Sequence, residues 1–419
     1  MNLNKILIKV IFFAIFLLAA FVGIYYYSIN SIERPIKVGI IHSLSGEMAS
    51  TEEAIMEATL LAIDEINKSG GLLNRIIEPI TLDGKSDNKT FAKQAEYLIK
   101  NEKVDIIFGG LTPSSRKSLK AVVEKYDKLL FFPGFNEGLE ESPNIFYTGA
   151  APNQYLIPAI SWAENNIGNK FYLLGSNNYF SKITIEFLKT ILPNMGCEIV
   201  GQETVESYQK DFSPIITNIE KSNAQIVLNI LNLDSSLILF KDIKNLKEQK
   251  KLAIISIGLT QNELSFASDI DNTYLAGNYF ESIDTKESDN FKKRIKDKYG
   301  KDQEVNDFIE SAYNGVQFWK QAVKKANSTN VKKITTTLIN SKLELAAGLI
   351  TIDTNHYTYK TPRILKLTSP NPEIIWQSNS PLKPIIYPEE LIIEKFNPLQ
   401  KTKQEWNKIS EELYNQGTK

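Results

Sequence analysis

The feature that most constrains the fold of this chain is a repeated alternation of short β-branched segments with longer segments of helical periodicity. Residues 36–41 (IKVGII) are typical of a buried strand, and residues 51–67 carry apolar side chains at helical spacing before the pair Gly70-Gly71. Similar pairs follow at 104–108 and 114–125, 170–175 and 181–195, and 225–231 and 235–246. Strands separated by helices predict parallel sheets with right-handed crossovers.

These units are too numerous for one sheet of usual size, so we predict two. A natural boundary is the segment 145–158, which is punctuated by Gly149, Pro152 and Pro158. Further segments are predicted as helices at 286–299, 307–326 and 331–340, and as strands at 348–354, 363–368 and 373–377. The pattern therefore predicts a two-part α/β protein.

The composition excludes several classes of site. Lys and Arg total 48 against 49 Asp and Glu, and the net charge of −1 gives no general attraction to nucleic acid. The single cysteine, Cys197, excludes an intrachain disulfide and a Cys-rich zinc site. Only two histidines are present, His42 and His356, so a site with three imidazole ligands is excluded. We predict no cofactor, no metal site and no nucleic-acid partner.

The N-terminal segment predicts contact with a membrane. No charged residue occurs from Val10 to Tyr27, and Lys5 and Lys9 precede this apolar run. A retained membrane-spanning helix with a cytoplasmic N-terminus is one interpretation. The alternative is a signal peptide cleaved after Ala20 and release to the periplasm. Both interpretations place the rest of the chain outside the cytoplasm, and the absence of a cysteine after the run excludes lipoprotein processing.

Polar loops follow the predicted strands, at the edge where parallel α/β sheets bind ligands. These loops cover residues 42–46, 109–115, 133–137, 176–179 and 232–235. They are rich in Ser, Thr, Asn and Gly, which donate and accept neutral hydrogen bonds. Neither a phosphate-binding Walker loop nor a Gly-x-Ser-x-Gly elbow occurs. The pattern favours a small polar ligand over bond-breaking chemistry.

Six motifs occur in order along most of the chain. They are IKVGIIHSLSGEMA (36–49), EINKSGGLLNRIIEPI (65–80), SSRKSLKAVVEKY (114–126), EGLEESPNIFYTGAAPNQ (137–154), NYFESIDT (278–285) and SAYNGVQFWKQAV (311–323). Together they resemble the type I periplasmic binding proteins, specifically the urea and short-chain-amide branch of the receptors for branched-chain amino acid ABC transporters. The resemblance implies a non-catalytic protein that closes on a small solute.

The fold implied by this resemblance is α/β, with two Rossmann-like parallel-sheet lobes joined by a three-crossover hinge, here preceded by one N-terminal transmembrane helix. The expected organisation begins with an anchor or uncleaved signal and a linker at 1–35. The first lobe covers 36–150 with a return segment of about 281–340, and the second lobe covers 151–280 with a return segment of about 345–388. A polar helical tail follows at 389–419.

The resemblance also suggests where a solute would bind. The candidate residues are Ser43, Ser45, Leu111, Thr112, Phe135, Asn136, Asn177, Asn178, Asn232 and Asp234. Several of them depart from the branch, which carries Trp or Tyr at Leu111, a Gln-Tyr or Pro-Tyr pair at Phe135-Asn136 and Asp-Tyr after Gly-Ser, where Asn177-Asn178 stands. Aromatic walls around a planar amide are thus lost. Helix capping and turn formation are the structural alternatives for the Ser, Thr and Asn residues.

Three functions are compatible with these sequence features. The first is capture of a small polar solute, similar to urea, an amide or an amino acid, for an ABC permease and its ATPase. The second is a membrane-tethered sensor that signals to a separate kinase or cyclase. The third is an extracytoplasmic enzyme using Ser43 or Asp234, which no base at a recognisable spacing supports. We predict a binding protein without catalytic residues.

Overall fold

The computed structural model describes residues 13–21, 34–206, 209–250, 252–261, 270, 272–303, 305–368, 371–388 and 401–417. Residues 13–21 form helix α1, whose side chains are exposed. The remainder of the predicted membrane segment Val10–Tyr27 lies outside the described residues. Among the helices that the structure describes, none combines the length and apolar character needed to cross a membrane.

The first sheet has five parallel strands in the order β2-β1-β3-β4-β5. Its strands are β1 (Ile36–His42), β2 (Ile77–Asp83), β3 (Ile106–Gly109), β4 (Leu129–Phe132) and β5 (Ile145–Tyr147). The connecting helices are α2 (Ala49–Lys68), α3 (Asn88–Tyr97) and α4 (Pro113–Lys125). β1 is almost wholly buried because it lies between two neighbours and under helices, as its β-branched sequence predicts.

The second sheet has seven strands in the order β14-β13-β10-β9-β8-β6-β7. Five are parallel: β6 (Lys170–Ser176), β7 (Glu198–Val205), β8 (Ile226–Ile230), β9 (Ala253–Ser256) and β10 (Thr273–Gly277). β13 (Arg363–Lys366) and β14 (Glu373–Gln377) are antiparallel additions at the β10 edge. The helices of this half are α5 (Leu156–Asn166), α6 (Tyr179–Asn194), α7 (Ser213–Ser222) and α8 (Leu233–Lys250).

Three later helices return to the first sheet: α9 (Lys286–Tyr299), α10 (Asp307–Ala326) and α11 (Val331–Leu338). α10 packs on α2, β3 and β4, where the Trp319 ring meets the Phe108 ring edge-on with centroids 5.9 Å apart. A hairpin follows, β11 (Lys342–Leu345) with β12 (Gly348–Thr351), and the last helix is α12 (Lys403–Gly417). We call the first sheet with its packed helices lobe 1, and the second sheet with its packed helices lobe 2.

The chain passes between the lobes three times, between β5 and α5, between β10 and α9, and between β12 and β13. Tyr147 and Tyr357 form a parallel bridge between the first and third passages. The buried Gln154 joins all three, because its side-chain Nε2 donates to the backbone carbonyl of Thr358 at 2.9 Å and its backbone carbonyl accepts from Asn278 Nδ2 at 2.9 Å. These hydrogen bonds tie the three passages to one another.

Candidate functional site

The two candidate serines after β1 are held by carboxylates of lobe 1. Ser43 is buried, and its Oγ donates to Glu52 at 3.0 Å while its N–H donates to the same carboxylate at 2.9 Å. His42 Nδ1 lies 3.0 Å from Glu52. Ser45 is exposed, and its Oγ donates to Asp83 at 2.7 Å. Both hydroxyl protons are therefore used within the protein to shape the loop.

The candidates after β3 and β4 include one helix cap and one buried amide. Thr112 caps α4 by accepting from the Ser115 N–H at 3.1 Å, and the preceding Leu111 is buried. Asn136 is completely buried, and its Nδ2 donates to the carbonyl of Ala150 at 3.0 Å. Its Oδ1 accepts a nearby backbone N–H, so the whole amide is satisfied by lobe 1.

The lobe 2 candidates lie at the N-terminal ends of α6 and α8. Asn178 caps α6, because its Oδ1 accepts at 2.9 Å from the N–H of the third residue of that helix. Asn177 is exposed, and its Nδ2 donates to Glu206 at 2.8 Å. Asn232 accepts from an N–H in the first turn of α8 at 3.1 Å, and Asp234 is exposed in that turn. Their assignment as solute contacts stays a prediction.

A small cleft, with free space of about 10 Å³ or room for one water molecule, opens at the carboxyl ends of β9 and β10, against the N-terminus of α10. Of the ten candidates, only Phe135 lines it. The apolar part of the lining includes Phe280 and Phe308, and the polar part includes Gln261 and Asp307. The cleft thus lies between Phe135 of lobe 1 and the strand ends of lobe 2, as expected for an α/β sheet.

Aromatic packing fixes the Phe135 wall of this cleft. The Phe135 ring stacks on Tyr155 with centroids 4.9 Å apart and an interplanar angle of 12°. It meets Phe308 edge-on at 5.0 Å, and the Tyr155 hydroxyl donates to the carbonyl of Asn136 at 3.1 Å. Such stacked and edge-on pairs are favourable beyond the area they bury. Phe135 therefore forms a rigid apolar wall of the cleft.

Two buried acceptor atoms of the cleft lining, Gln261 Oε1 and Asp307 Oδ1, find no hydrogen-bond partner among the residues that the structure describes. The other oxygen of Asp307 accepts from the Asn278 N–H at 2.6 Å. Burial raises the pKa of Asp307 to about 6, even though Lys360 opposes this shift. Buried polar atoms almost always find partners, so these two acceptors distinguish the cleft from the paired polar groups of the ten candidates.

A separate charged cluster joins the lobes beside the candidates Asn136 and Asn178. Arg116 is completely buried and binds Glu137 through both terminal nitrogens, at 2.8 and 3.1 Å, and Glu140 through Nε at 2.9 Å. Tyr179 of α6 donates its hydroxyl to Glu137 at 2.9 Å. Burial would raise the pKa of Glu140, but Arg116 and neighbouring lysines lower it to about 2. Contacts between protein atoms thus close this part of the interface.

Sequence reasoning missed Gln261 and Asp307 for different reasons. Gln261 follows β9, and this strand has only four residues, so hydrophobic periodicity does not predict it as a strand. Asp307 is the first residue of the predicted helix 307–326, where an acidic side chain is ordinarily explained by its favourable interaction with the helix dipole. A search for side chains just beyond every short apolar run would have found Gln261.

Comparisons with known proteins identify the family. The family model described as periplasmic binding protein domain matches residues 36–392. A binding protein for leucine, isoleucine, valine, threonine and alanine from Pseudomonas aeruginosa is 24% identical over 197 residues, which are 46% of this chain and 52% of that protein. A protein named limonene hydroxylase from Geobacillus stearothermophilus is 31% identical over 116 residues, which are 27% of this chain and 21% of that protein.

The structural comparison agrees on the fold. The branched-chain amino acid transporter substrate binding protein LivJ from Streptococcus pneumoniae, in complex with isoleucine, superposes with a TM-score of 0.71 at 20% identity. The match covers 81% of this chain and 99% of that chain. The predicted α/β fold with parallel sheets is confirmed, whereas the transmembrane helix and the urea and amide branch are not. Over residues 36–392, this chain belongs to the periplasmic binding protein domain family.

Proposed function

We propose that this protein is an extracytoplasmic solute-binding protein that captures a small polar solute between its two lobes for an ABC transporter. The observation that carries the proposal is the cleft between Phe135 and the ends of β9 and β10, with acceptors on Gln261 and Asp307 that no described residue pairs. Membership of the periplasmic binding protein domain family supports it. Because the cleft holds about one water molecule in this arrangement of the lobes, a solute enters only when the lobes turn apart about the passages tied by Gln154.

The lining of the cleft favours an amino-acid-like solute. Acceptors on Gln261 and Asp307 suit an amine or amide, and the rings of Phe135 and Phe308 suit an apolar side chain. The named ligands of the Pseudomonas relative and of the LivJ complex, which are amino acids, point the same way. Urea and short-chain amides, which have little apolar surface, would leave the aromatic wall uncovered.

The site chemistry supports binding rather than catalysis. The Ser43 hydroxyl donates to Glu52 and is buried, so it is neither activated by an imidazole nor open to a substrate. Asp234 is an exposed residue of the first turn of α8, where it has the environment of a surface carboxylate. Neither residue has the nucleophile-and-base geometry that covalent catalysis requires.

The proposed partners are the permease and ATPase subunits of an ABC transporter, with attachment to the membrane through the segment around Val10–Tyr27. That uncharged segment also favours the second candidate function, a membrane-tethered sensor that signals to a separate kinase or cyclase. Both functions require the same solute-induced closure. Deleting the gene distinguishes them. A transport protein is required for solute uptake, whereas a sensor is required for a transcriptional or enzymatic response to the solute.

A solute screen tests the proposal. Purified protein is heated with branched-chain and other amino acids, urea and short-chain amides, and the melting temperature is recorded for each. A solute at 100 times its Kd stabilises the folded protein by about 2.7 kcal/mol, which raises the melting temperature measurably. We expect amino acids with apolar side chains to give the largest shift. A panel without any shift, confirmed by calorimetry, would contradict the proposed function.

A further inference from the structure

The C-terminal helix α12 lies beyond residues 36–392, which match the family, and it packs along α6 of lobe 2. Trp406 is fully buried, with its ring centroid 6.2 Å from that of Phe187. One turn further along, the Ser410 hydroxyl lies 2.6 Å from the hydroxyl of Tyr179, and Ser410 is buried as well. An apolar anchor and a buried hydrogen bond therefore fix α12 on lobe 2.

The same helix contacts lobe 1 at two points. The Tyr414 hydroxyl lies 3.1 Å from the hydroxyl of Ser118 on α4. Near the other end of α12, Lys403 Nζ forms an ion pair with Glu141 at 2.7 Å, and both side chains are about half exposed. α12 therefore spans the junction between α4 and α6, and its two ends both reach lobe 1.

The α12 contacts are continuous with the direct contact between the lobes. The Tyr179 hydroxyl donates to Glu137 of lobe 1 at 2.9 Å, so its single proton is already used. The hydrogen bond between Tyr179 and Ser410 must then have Ser410 as its donor. Ser410 thereby orients the hydroxyl that bridges the lobes, and Tyr179 directly follows the cap residue Asn178.

We propose that α12 is a strap that holds lobe 1 and lobe 2 in the closed arrangement and restricts opening of the cleft. A turn about the hinge that opens the cleft separates α4 from α6, and a rigid helix cannot follow both. The exposed ion pair of Lys403 and the partly buried hydroxyl contact of Tyr414 are weaker than the buried anchor of Trp406, so they break first. α12 then stays with lobe 2. The proposal concerns motion of the lobes and holds for any solute.

The test measures the separation of the lobes without any added solute. Spin labels are attached to the full-length protein at Lys125→Cys on α4 and Lys189→Cys on α6, both of which are exposed. The native Cys197 is buried. The distance distribution is recorded by pulsed electron paramagnetic resonance. We expect one short distance in the parent, and a second, longer population in Lys403→Glu/Tyr414→Phe.

Three further variants separate the strap from a general loss of structure. Lys408→Glu changes an exposed lysine of α12 whose ion partner is Glu412 of the same helix, and it should leave the distribution unchanged. Glu141→Lys with Ser118→Ala breaks the same contacts from lobe 1 without altering α12, and it should reproduce the longer population. The charge exchange Lys403→Glu/Glu141→Lys should shorten the distances again.

The outcomes distinguish this proposal from the proposed function. Identical distributions in the parent and in both contact-breaking variants, with unchanged circular dichroism, would overturn the strap. If the charge exchange fails to reduce the longer population, loss of the ion pair between Lys403 and Glu141 is not the cause of opening, and this would also contradict the strap. Because solute is absent, a longer population that the charge exchange reverses supports the strap even if the solute screen finds no ligand.

Discussion

Two regions where the lobes meet differ in how their polar groups are satisfied. Around α4 and α6, the buried charges of Arg116 and Glu137 and the hydroxyl of Tyr179 bind one another. At the ends of β9 and β10, Gln261 and Asp307 each keep a buried acceptor that no described residue pairs. The polar groups of the first region satisfy one another, whereas those of the second are free to bind the proposed solute. The hydrogen-bond pattern, rather than the residue type, therefore separates structural caps from candidate binding groups.

The largest expected effect tests the completeness of the α4 and α6 region. Arg116→Met removes the cation of a fully buried network and leaves Glu137 and Glu140 without compensation. We expect a loss of about 3–5 kcal/mol in the free energy of unfolding, measured with urea. Lys125→Met on the same helix, where the side chain is exposed, should change it by less than about 0.5 kcal/mol. Equal losses in the two variants would show that the cluster has no special role.

The second effect is a pH dependence from Asp307. Its pKa is about 6 in the folded protein against an ordinary 3.8, so the folded state disfavours its ionised form. The corresponding stability is present below pH 3.8 and is lost as the pH rises through 6. A tenfold difference in proton affinity between the folded and unfolded states corresponds to about 1.4 kcal/mol in the free energy of unfolding.

Asp307→Asn isolates this contribution from that of Glu140, whose lowered pKa acts in the opposite direction. Urea unfolding of both proteins at pH 4, 5, 6 and 7 should show the parent losing stability relative to the variant between pH 4 and 6. If an amine-bearing solute binds at Asp307, its affinity should fall below pH 6 in the parent and not in Asp307→Asn. Parallel stability curves would contradict the burial of an ionisable Asp307.

The third effect contrasts the two regions directly by solute affinity. Gln261→Leu removes an acceptor from the cleft lining at similar side-chain size, and we expect the Kd of the best solute from the screen to rise by roughly 10- to 100-fold. Asn177→Ala, in the α6 loop, should change the Kd less than about twofold, because that amide already donates to Glu206. Calorimetry measures both. The reverse order would place the solute at the α4 and α6 region.

The sequence predicted much of the fold because its elements have local causes. The segment 307–326 was predicted as a helix from its apolar spacing and appears as α10, Asp307–Ala326. The buried strand β1 was likewise predictable from its β-branched residues. The position of α12 was not, because the burial of Trp406 depends on Phe187 of a distant helix. The cleft acceptors escaped prediction for the same reason, since only the folded chain brings Gln261 to Asp307.

The smallest effect decides whether a candidate residue acts as a cap or as a contact. Asn178→Ala removes the acceptor for the third N–H of α6 and should cost about 1 kcal/mol of stability. Asn178→Asp keeps that acceptor and should retain the parent's stability, which thermal unfolding measures. If Asn178 is only a cap, solute affinity is the same in the parent and in Asn178→Asp. An affinity loss at unchanged stability would instead extend the binding site from β9 and β10 to the start of α6, and the two regions would then form one site.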